Sequence, residues 1–208
     1  MPAFKIAGTM ANIPLILASS SRYRRELLDR LGLAYTCVSP EVDETPLAGE
    51  SPVQLCARLA RLKAEAVAKT NPHAVVIGSD QVCDLDGQAL GKPHTFEKAV
   101  AQLMSMQGKR VVFHTAVCVL SPVLPPQETI SDTVITMRAL TEETVRGYVE
   151  REKPFDCAGS AKIERLGIAL MESVSSDDPT SLIGLPLMRV TTMLTLAGIP
   201  PVKGLTVN

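Results

Sequence analysis

The chain has 208 residues, of which 46% are apolar and 21% are charged, and its formal net charge at pH 7 is -1. This length and composition are enough for one hydrophobic core or for two lobes that share a cleft. The near-neutral charge argues against a long nucleic acid as partner, because nucleic-acid-binding proteins usually carry a basic excess that displaces counterions. A small anionic ligand needs only a local cluster of positive charge.

The five cysteines and three histidines show no metal-binding or disulfide pattern. The cysteines are odd in number without a C-x-x-C spacing, and the histidines stand far apart. No apolar stretch is long enough to span a membrane, and residues 1–13 do not resemble a secretory signal. We therefore expect a cytoplasmic protein that forms a single domain over residues 1–208, in which residues 1–13 are an N-terminal extension that could be disordered.

Hydrophobic periodicity and turn signals predict strands that alternate with helices, which is typical of an α/β sheet with helices on its faces. In chain order the predicted elements are a strand at 14–18, a helix at 22–31, a strand at 34–39, an acidic loop at 40–46, a helix from 51 up to Pro72, a strand at 74–77, a helix at 95–106, a strand at 111–120, a surface turn at 122–126, a strand at 129–137, a helix at 141–150, a strand at 168–171 and a helix at 184–196. Ser51 and Gln54 have the spacing of a capping box. Arg58, Arg61 and Lys63 could simply form the solvated face of that helix.

Two places along the chain suggest a binding site. The apolar run at 74–77 ends just before Asp80, and ligands of α/β sheets collect at such strand ends. A turn at 86–87 then brings Lys92 back within one hairpin's reach of Asp80. Separately, residues 19–21 supply three hydroxyl groups between a strand and a helix, where they and the free N–H groups of the helix favour an anion.

Seven short stretches, in this order, resemble the Maf-like nucleoside triphosphate pyrophosphatases. They are Leu17-Ala18-Ser19-Ser20-Ser21 with Arg24-Arg25, Val42-Asp43-Glu44, Arg58-Leu59-Ala60 with Lys63, Gly78-Ser79-Asp80-Gln81, Gly91-Lys92-Pro93, Cys157-Ala158-Gly159-Ser160, and Gly184-Leu185-Pro186-Leu187. The resemblance extends from about residue 15 to residue 196. It implies a mixed-sheet α/β fold with flanking helices and two lobes around a deep cleft, similar to inosine triphosphate pyrophosphatases.

The resemblance also implies a reaction, in which a nucleoside triphosphate is cleaved to its monophosphate and diphosphate with a divalent metal, Mg²⁺ by expectation. The position of Asp80 is that of the family's proton acceptor. The other positions that match the family's active site are Ser21, Arg24, Glu44, Lys63 and Lys92. Their chemistry is suitable, because catalysis of phosphoryl transfer consists largely of positioning and charge neutralisation. Asp80 and Glu44 are the candidate metal ligands.

Three further residues make the chain resemble the subgroup that acts on 7-methyl-GTP. They are Gln81, Glu164 and Tyr23. A carboxylate such as Glu164 accepts hydrogen bonds, and the Watson–Crick edge of guanine offers two donors. An aromatic face such as that of Tyr23 attracts the positive charge of a 7-methylated base. Tyr23 stands where clear subgroup members have Trp, and Arg22 stands where most of the family has Pro.

Each of these residues also has an ordinary structural explanation. Ser21 could be only a helix cap, Gln81 could only hydrogen-bond the backbone, and Glu164 could be a surface charge. Two other functions also remain open, namely a dTTP or UTP pyrophosphatase of the same family and a nucleotide-binding regulator of septum formation without catalysis. We expect a nucleoside triphosphate as ligand and, because symmetric dimers are the commonest oligomers, a homodimer.

Overall fold

The computed structural model describes residues 13–207, and the N-terminal extension predicted at residues 1–13 therefore lies almost entirely outside the described residues. The strands are β1 Leu15–Ala18, β2 Thr36–Cys37, β3 Val75–Leu85, β4 Gln88–Leu90, β5 Arg110–Ser121, β6 Leu124–Met137 and β7 Met171–Ser176. The helices are α1 Arg22–Asp29, α2 Pro52–Ala68, α3 Phe96–Met106, α4 Glu142–Glu152 and α5 Leu187–Leu196. Three short 3₁₀ turns occupy Ala158–Ser160, Leu166–Leu170 and Ser181–Ile183.

The strands form one seven-stranded mixed sheet in the order β2-β1-β3-β5-β6-β7, with β4 paired to β3. Strand β1 runs parallel to β2 and β3, whereas β5, β6 and β7 continue the sheet in antiparallel fashion. The sheet thus contains both parallel and antiparallel strand pairs, and the helices pack on its faces. The predicted mixed-sheet α/β fold is confirmed.

Two hydrophobic cores lie on one face of the sheet, and α2 covers part of the other face. Val117 of β5 belongs to the core under α1 and α5, and Phe113 belongs to the core under α3 and α4. These two residues are four apart and so point to the same side of the strand. Ala116 points to the opposite side and packs with Cys56 of α2.

Helices α1 to α4 begin within one residue of the predicted positions, whereas α5 begins at Leu187 and not at 184 as predicted. Ser51 caps α2 by accepting a hydrogen bond from the N–H of Gln54, while its own N–H donates to the Gln54 side chain. Thr95 caps α3 through the N–H of Lys98. Ser21 caps α1. These contacts satisfy N–H groups that have no partner inside the helix, which is why short polar side chains mark helix starts so reliably.

Two predicted elements were wrong. The strand predicted at 168–171 is a 3₁₀ turn over Leu166–Leu170, and the strand begins only at Met171. The turn forms because Gly167 packs directly on the backbone of Lys162, and a Cβ atom at Gly167 would collide with that backbone. The surface turn predicted at 122–126 is shorter, because β6 begins at Leu124.

Prolines at the start of β6 are tolerated for a local reason. Pro125 and Pro126 lie where the ladder between β5 and β6 shifts its register, between the pairs Val119–Gln127 and Ser121–Leu124. A bulge does not require every N–H group for pairing, so proline is compatible with it. The predicted strand at 34–39 is likewise reduced to the two residues of β2. Within residues 13–207, no helix combines the length and the apolar character that a membrane crossing requires.

A gap along one edge of β3 creates the site. Strand β1 pairs with β3 as far as Gly78, and β4 begins to pair with the same edge only at Cys83. Asp80 and Gln81 lie between these two pairings, in the interior of β3, so the prediction that the strand ends just before Asp80 was wrong. Their side chains point to opposite faces of the sheet, but no strand of the described residues covers this part of the edge, so both of them line the same opening. The carboxylate and the amide that the sequence singles out are therefore placed in the sheet's own discontinuity.

Candidate active site

A cavity of about 670 Å³, called here the first cavity, opens at this gap. Its wall includes all nine residues that the sequence marks as candidate site residues. They are Ser21, Tyr23, Arg24, Glu44, Lys63, Asp80, Gln81, Lys92 and Glu164. These residues come from α1, the acidic loop, α2, β3, the β3–β4 hairpin and the segment after α4. The structure thus brings together groups that are up to 143 positions apart in the printed sequence.

The floor of the first cavity holds a buried cation between two carboxylates. Lys63 Nζ donates to Asp80 Oδ1 at 2.6 Å and lies 2.8 Å from Glu44 Oε1. Lys63 is 6% exposed and Asp80 is 7% exposed, whereas Glu44 is exposed. The suggestion that Lys63 belongs to a solvated helix face is therefore wrong. An ion pair this well buried is little screened by salt, and its geometry is correspondingly well defined.

Close packing of α2 on β3 sets this geometry. Gly78 faces α2 so closely that a Cβ atom there would collide with the backbone of Ala60 and Ala64. Cys56, one turn earlier, directs its thiol to the carbonyl oxygen of Asp80 at 3.3 Å. Only a residue without a side chain permits this approach. The helix therefore holds Lys63 directly against the strand that carries Asp80.

The Glu44 carboxyl responds to its cationic neighbours. Partial burial alone would raise its pKa, but the hydrogen bond from Lys63 and the charges of Lys63, Lys92 and Arg24 outweigh burial and lower the pKa. Glu44 is therefore ionised at neutral pH. Three cations act on this one carboxylate, which shows that positive charge is concentrated at the floor of the first cavity.

The two carboxylates fit a magnesium ion in the way that nucleotide-cleaving sites use it. Mg²⁺ is usually held by one or two carboxylates, with phosphate oxygens and water as the remaining ligands. Within residues 13–207, the second oxygens of both groups, Oδ2 of Asp80 and Oε2 of Glu44, make no hydrogen bond. Those residues contain no group of three or more His, Cys, Asp or Glu side chains that could hold a metal on its own. Any bound Mg²⁺ would depend on phosphate or water for its other ligands.

The acidic loop that carries Glu44 is tied to α2 by a second ion pair, which the sequence did not reveal. Arg58 binds both oxygens of Glu50, at 2.6 and 2.8 Å, and also donates to the carbonyl oxygen of Thr45 at 3.1 Å. The Arg58 hydrogen bond, together with one from the N–H of Leu47, lowers the pKa of Glu50 to about 2. A bidentate pair fixes direction as well as distance. It holds the loop where Glu44 reaches Lys63.

Arg24 is oriented by a backbone carbonyl from the far end of the chain. Its Nε donates to the carbonyl oxygen of Gly184 at 2.9 Å, and the same oxygen accepts from Ser79 Oγ at 3.1 Å. This arrangement leaves the two terminal nitrogens of the guanidinium group to grip a ligand. The sequence places Gly184 only at the start of the predicted final helix, yet it lines the first cavity. Its contact with Arg24 spans 160 positions and has no local sequence signal.

Ser21 serves as the N-cap of α1, accepting from the N–H of Arg24 at 3.5 Å. Its hydroxyl group also lines the first cavity, where its proton could be donated to a ligand oxygen. The cap role and the binding role are therefore compatible. Lys92 is exposed and, within residues 13–207, forms no ion pair. It adds a mobile positive charge at the cavity wall.

Gln81 is held mainly by protein contacts. Its side-chain nitrogen donates to the carbonyl oxygens of Ser181 and Leu182 at 2.9 and 3.1 Å and to Thr115 Oγ1 at 3.1 Å. The donors of the amide are thus used to fasten the 3₁₀ turn that precedes Gly184. Only its carbonyl oxygen is left to accept a hydrogen bond from a ligand. The alternative that Gln81 bonds the backbone is confirmed for its nitrogen.

The candidate base-recognition residues lie at the rim. The guanidinium carbon of Arg22 is 4.7 Å from the centre of the Tyr23 ring, and Arg22 donates to the Tyr23 hydroxyl at 2.9 Å. The hydroxyl also lies 3.3 Å from Asp156 Oδ2. Burial raises the pKa of Tyr23, so the phenol stays neutral. Glu164 is exposed and, within the part of the chain that the structure describes, forms no ion pair.

The family model and the sequence relatives indicate the same group of proteins. A family model described as Maf-like protein matches residues 14–197. The chain is 54% identical to the 7-methyl-GTP pyrophosphatase of Polaromonas sp. over 194 residues, covering 93% of this chain and 89% of the relative. It is 54% identical to the 7-methyl-GTP pyrophosphatase of Cupriavidus metallidurans, covering 89% and 94%. Among solved structures, the Staphylococcus aureus Ham1 protein matches with 17% identity and a TM-score of 0.46, over 61% of this chain and 72% of that one.

Proposed function

Because the chain belongs to the Maf-like protein family, we propose that it hydrolyses 7-methyl-GTP to 7-methyl-GMP and diphosphate, and so removes a modified nucleotide from the pool. The observation that carries this proposal is the buried contact of Lys63 with Asp80 at 2.6 Å in a cavity that also presents Arg24 and Lys92. A triphosphate needs such positive charge, and a reacting water needs such a carboxylate.

The attacking water is assigned to Asp80. Its Oδ1 accepts the hydrogen bond from Lys63, so Oδ2 is the oxygen that can orient the water and take its proton. The water oxygen forms a bond to the α-phosphorus while the bond between that phosphorus and the bridging oxygen breaks. The bridging oxygen and its electron pair leave with the diphosphate. The proton of the water passes to Asp80.

The positive groups stabilise the negative charge that this step develops. Arg24 can bind a phosphate through its two terminal nitrogens, because its Nε is already held by Gly184. Lys63 and Lys92 act as point charges, one buried and one at the wall. A Mg²⁺ ion held by Asp80, Glu44 and phosphate oxygens would supply further charge neutralisation.

Recognition of the base is assigned to the rim. Glu164 is a free carboxylate on the first cavity and can accept from the two donors of guanine. Tyr23 offers a ring face to the cationic 7-methylated base, beside the face that Arg22 contacts. The carbonyl oxygen of Gln81 can accept one more hydrogen bond. The relatives from Polaromonas sp. and Cupriavidus metallidurans are both named 7-methyl-GTP pyrophosphatase, which supports the same substrate.

The test is diphosphate release by the purified protein with Mg²⁺, measured side by side on 7-methyl-GTP, GTP, dTTP and UTP. We expect the highest kcat/KM on 7-methyl-GTP, because both a carboxylate and an aromatic ring at the rim favour a cationic guanine. A higher value on dTTP or UTP would leave the reaction in place and overturn the assigned base. Absence of turnover on all four, with nucleotide binding retained, would favour the non-catalytic regulator.

A further inference from the structure

A second cavity, of about 630 Å³, opens beside the first and shares part of its wall. The second cavity is lined by Arg22, Lys92, His94, Lys153, Phe155, Asp156 and Lys162. Four of these residues, namely Arg22, Lys92, His94 and Asp156, line the first cavity as well. The two cavities are therefore neighbours that share these four side chains. The reaction proposed above makes no use of Lys153, Phe155 or Lys162.

The wall of the second cavity is strongly basic. It carries four side chains that are positive at neutral pH and a single carboxylate, Asp156. Lys92 and Lys153 are exposed and form no ion pair within residues 13–207. Arg22 hydrogen-bonds the neutral Tyr23 and, among the described residues, forms no ion pair, although the charges of Asp156 and Glu26 act on it. This excess of positive charge favours an anionic ligand and disfavours a second cationic base.

One of these cations is built into the protein. Lys162 is only 5% exposed, and its ammonium group donates to the carbonyl oxygens of Glu152 and Lys153 at 3.0 and 3.2 Å. Its nearest carboxylate oxygen belongs to Asp156, at 3.6 Å, beyond a normal hydrogen bond. The same Asp156 lies 3.3 Å from the hydroxyl of Tyr23. The buried ammonium group of Lys162 thus faces the second cavity, and its one carboxylate partner, Asp156, is too far away for a normal hydrogen bond.

We propose that the second cavity holds the distal nucleotide of a dinucleoside polyphosphate whose 7-methylguanosine end occupies the first cavity. This inference rests on the function proposed above. The phosphate chain would cross at Lys92 and Arg22, which belong to both walls. The second cavity is a wide depression open to solvent, so it can admit a group larger than one additional phosphate. Phe155, only partly covered by the core behind it, offers an apolar surface for the second base.

The chemical step is unchanged for such a substrate. Water attacks the α-phosphorus next to 7-methylguanosine, and the bond from that phosphorus to the bridging oxygen breaks. With a triphosphate bridge the products are 7-methyl-GMP and the nucleoside diphosphate of the distal nucleoside. The leaving diphosphate carries a nucleoside in place of a free end.

The test compares 7-methyl-GTP with 7-methylguanosine joined to guanosine by a 5′,5′-triphosphate. Both would be assayed with wild-type protein and with Lys153→Gln and Lys153→Glu, because Lys153 lines only the second cavity. Both substitutions keep a long side chain at a left-handed backbone of φ 46°, so the backbone strain is matched. Lys69→Glu, on an exposed residue outside both cavity walls, is the control for charge alone.

We expect wild-type protein to release 7-methyl-GMP from both substrates. Lys153→Glu should lower kcat/KM on the dinucleotide about tenfold and on 7-methyl-GTP less than about twofold, because all three phosphates are common to both substrates and only the distal nucleoside extends past the shared wall to Lys153. Lys69→Glu should affect both substrates equally.

Three results would overturn the inference in distinguishable ways. Turnover of 7-methyl-GTP without turnover of the dinucleotide would reject the second site and leave the proposed function intact. Turnover of the dinucleotide with no selective effect of Lys153→Glu would show that its distal nucleotide lies elsewhere. Turnover of neither would reject the proposed function, and the inference with it.

Discussion

The floor and the rim of the first cavity are held in different ways. At the floor, Lys63 and Asp80 lie on a helix and a strand, both are buried, and they are joined at 2.6 Å. At the rim, Tyr23 and Asp156 meet at 3.3 Å, and Asp156 and Glu164 are exposed on irregular segments. The floor is thus fixed by backbone packing, whereas the rim is fixed by side-chain contacts that water can replace.

This difference divides the expected roles. Catalytic groups must keep their geometry within a fraction of an ångström, and regular secondary structure packed on a core provides that. Groups that select a base need only modest discrimination and tolerate change on a fixed scaffold. We therefore expect substitutions at the floor to affect rate and stability strongly, and substitutions at the rim to change the preferred substrate.

The largest effect is expected from Asp80→Asn. Loss of the carboxylate that takes the proton of the water should lower kcat on 7-methyl-GTP by about 10²- to 10⁴-fold, the usual contribution of a general base. Binding of the nucleotide should survive, as measured by equilibrium titration. Asp86→Asn, in the exposed turn of the same hairpin, is the matched control and should keep full activity. A near-normal kcat for Asp80→Asn would show that Asp80 is not the general base.

Lys63→Met tests the floor as a stabilising contact. Because Asp80 would remain buried without its partner, the free energy of unfolding in urea should fall by about 3 kcal/mol. Lys69→Met, in an exposed position next to the end of α2, should change it little. The double variant Lys63→Met with Asp80→Asn should recover part of the loss, since no unpaired carboxylate remains. If the double variant were less stable than Lys63→Met, charge burial would not be the cause.

Glu164→Gln tests the rim as the reader of the base. An amide offers both a donor and an acceptor, so the ratio of kcat/KM for 7-methyl-GTP over dTTP should fall by about tenfold, within the range of one polar contact. Thermal stability should not change, because Glu164 is exposed. Glu172→Gln, another exposed carboxylate, should leave the ratio unchanged. An equal loss on both substrates would argue against base selection.

Tyr23→Leu should have a smaller effect, on the preference for 7-methyl-GTP over GTP. A cation–π contact at an exposed site contributes about 0.5–1 kcal/mol, so kcat/KM for 7-methyl-GTP should fall about threefold relative to GTP. Tyr23→Phe keeps the ring and removes only the hydroxyl contact with Asp156. It should retain the preference if the ring face binds the base, and lose it if the hydroxyl network alone shapes the rim.

The smallest effect is expected from Glu50, whose pair with Arg58 ties the acidic loop to α2. The pKa of Glu50 is lowered to about 2 when folded, so folding favours its ionised form. The stabilisation from the Arg58 pair should be fully present above about pH 4.5 and be lost as the pH falls toward 2. Unfolding measured from pH 7 to pH 3 should therefore show a stability difference between wild type and Glu50→Gln that narrows as the pH falls. A stability difference that stays constant with pH would show that Glu50 stabilises the fold through packing and not through its charge.

Local signals in the sequence predicted much of the fold. Helix caps at Ser21, Ser51 and Thr95 were correct because capping is decided within four residues. The strand predicted at 168–171 was wrong because the approach of Gly167 to Lys162 is a tertiary contact that an apolar run does not reveal. The functional stretches were found as a family pattern, and the structure then gathered them on one cavity.

By itself, the sequence determined the alternating elements, the positions of Asp80, Lys63 and the other candidate groups, and the family to which they point. Only the tertiary structure decided that Lys63 is buried, that the Gly184 carbonyl orients Arg24, and that Gln81 spends its amide donors on a turn. The physical reason is the distance along the chain over which each kind of interaction acts. Periodicity and capping act over a few residues, whereas a gap between β1 and β4 on the edge of β3, and the helix packed across it, depend on contacts between distant segments.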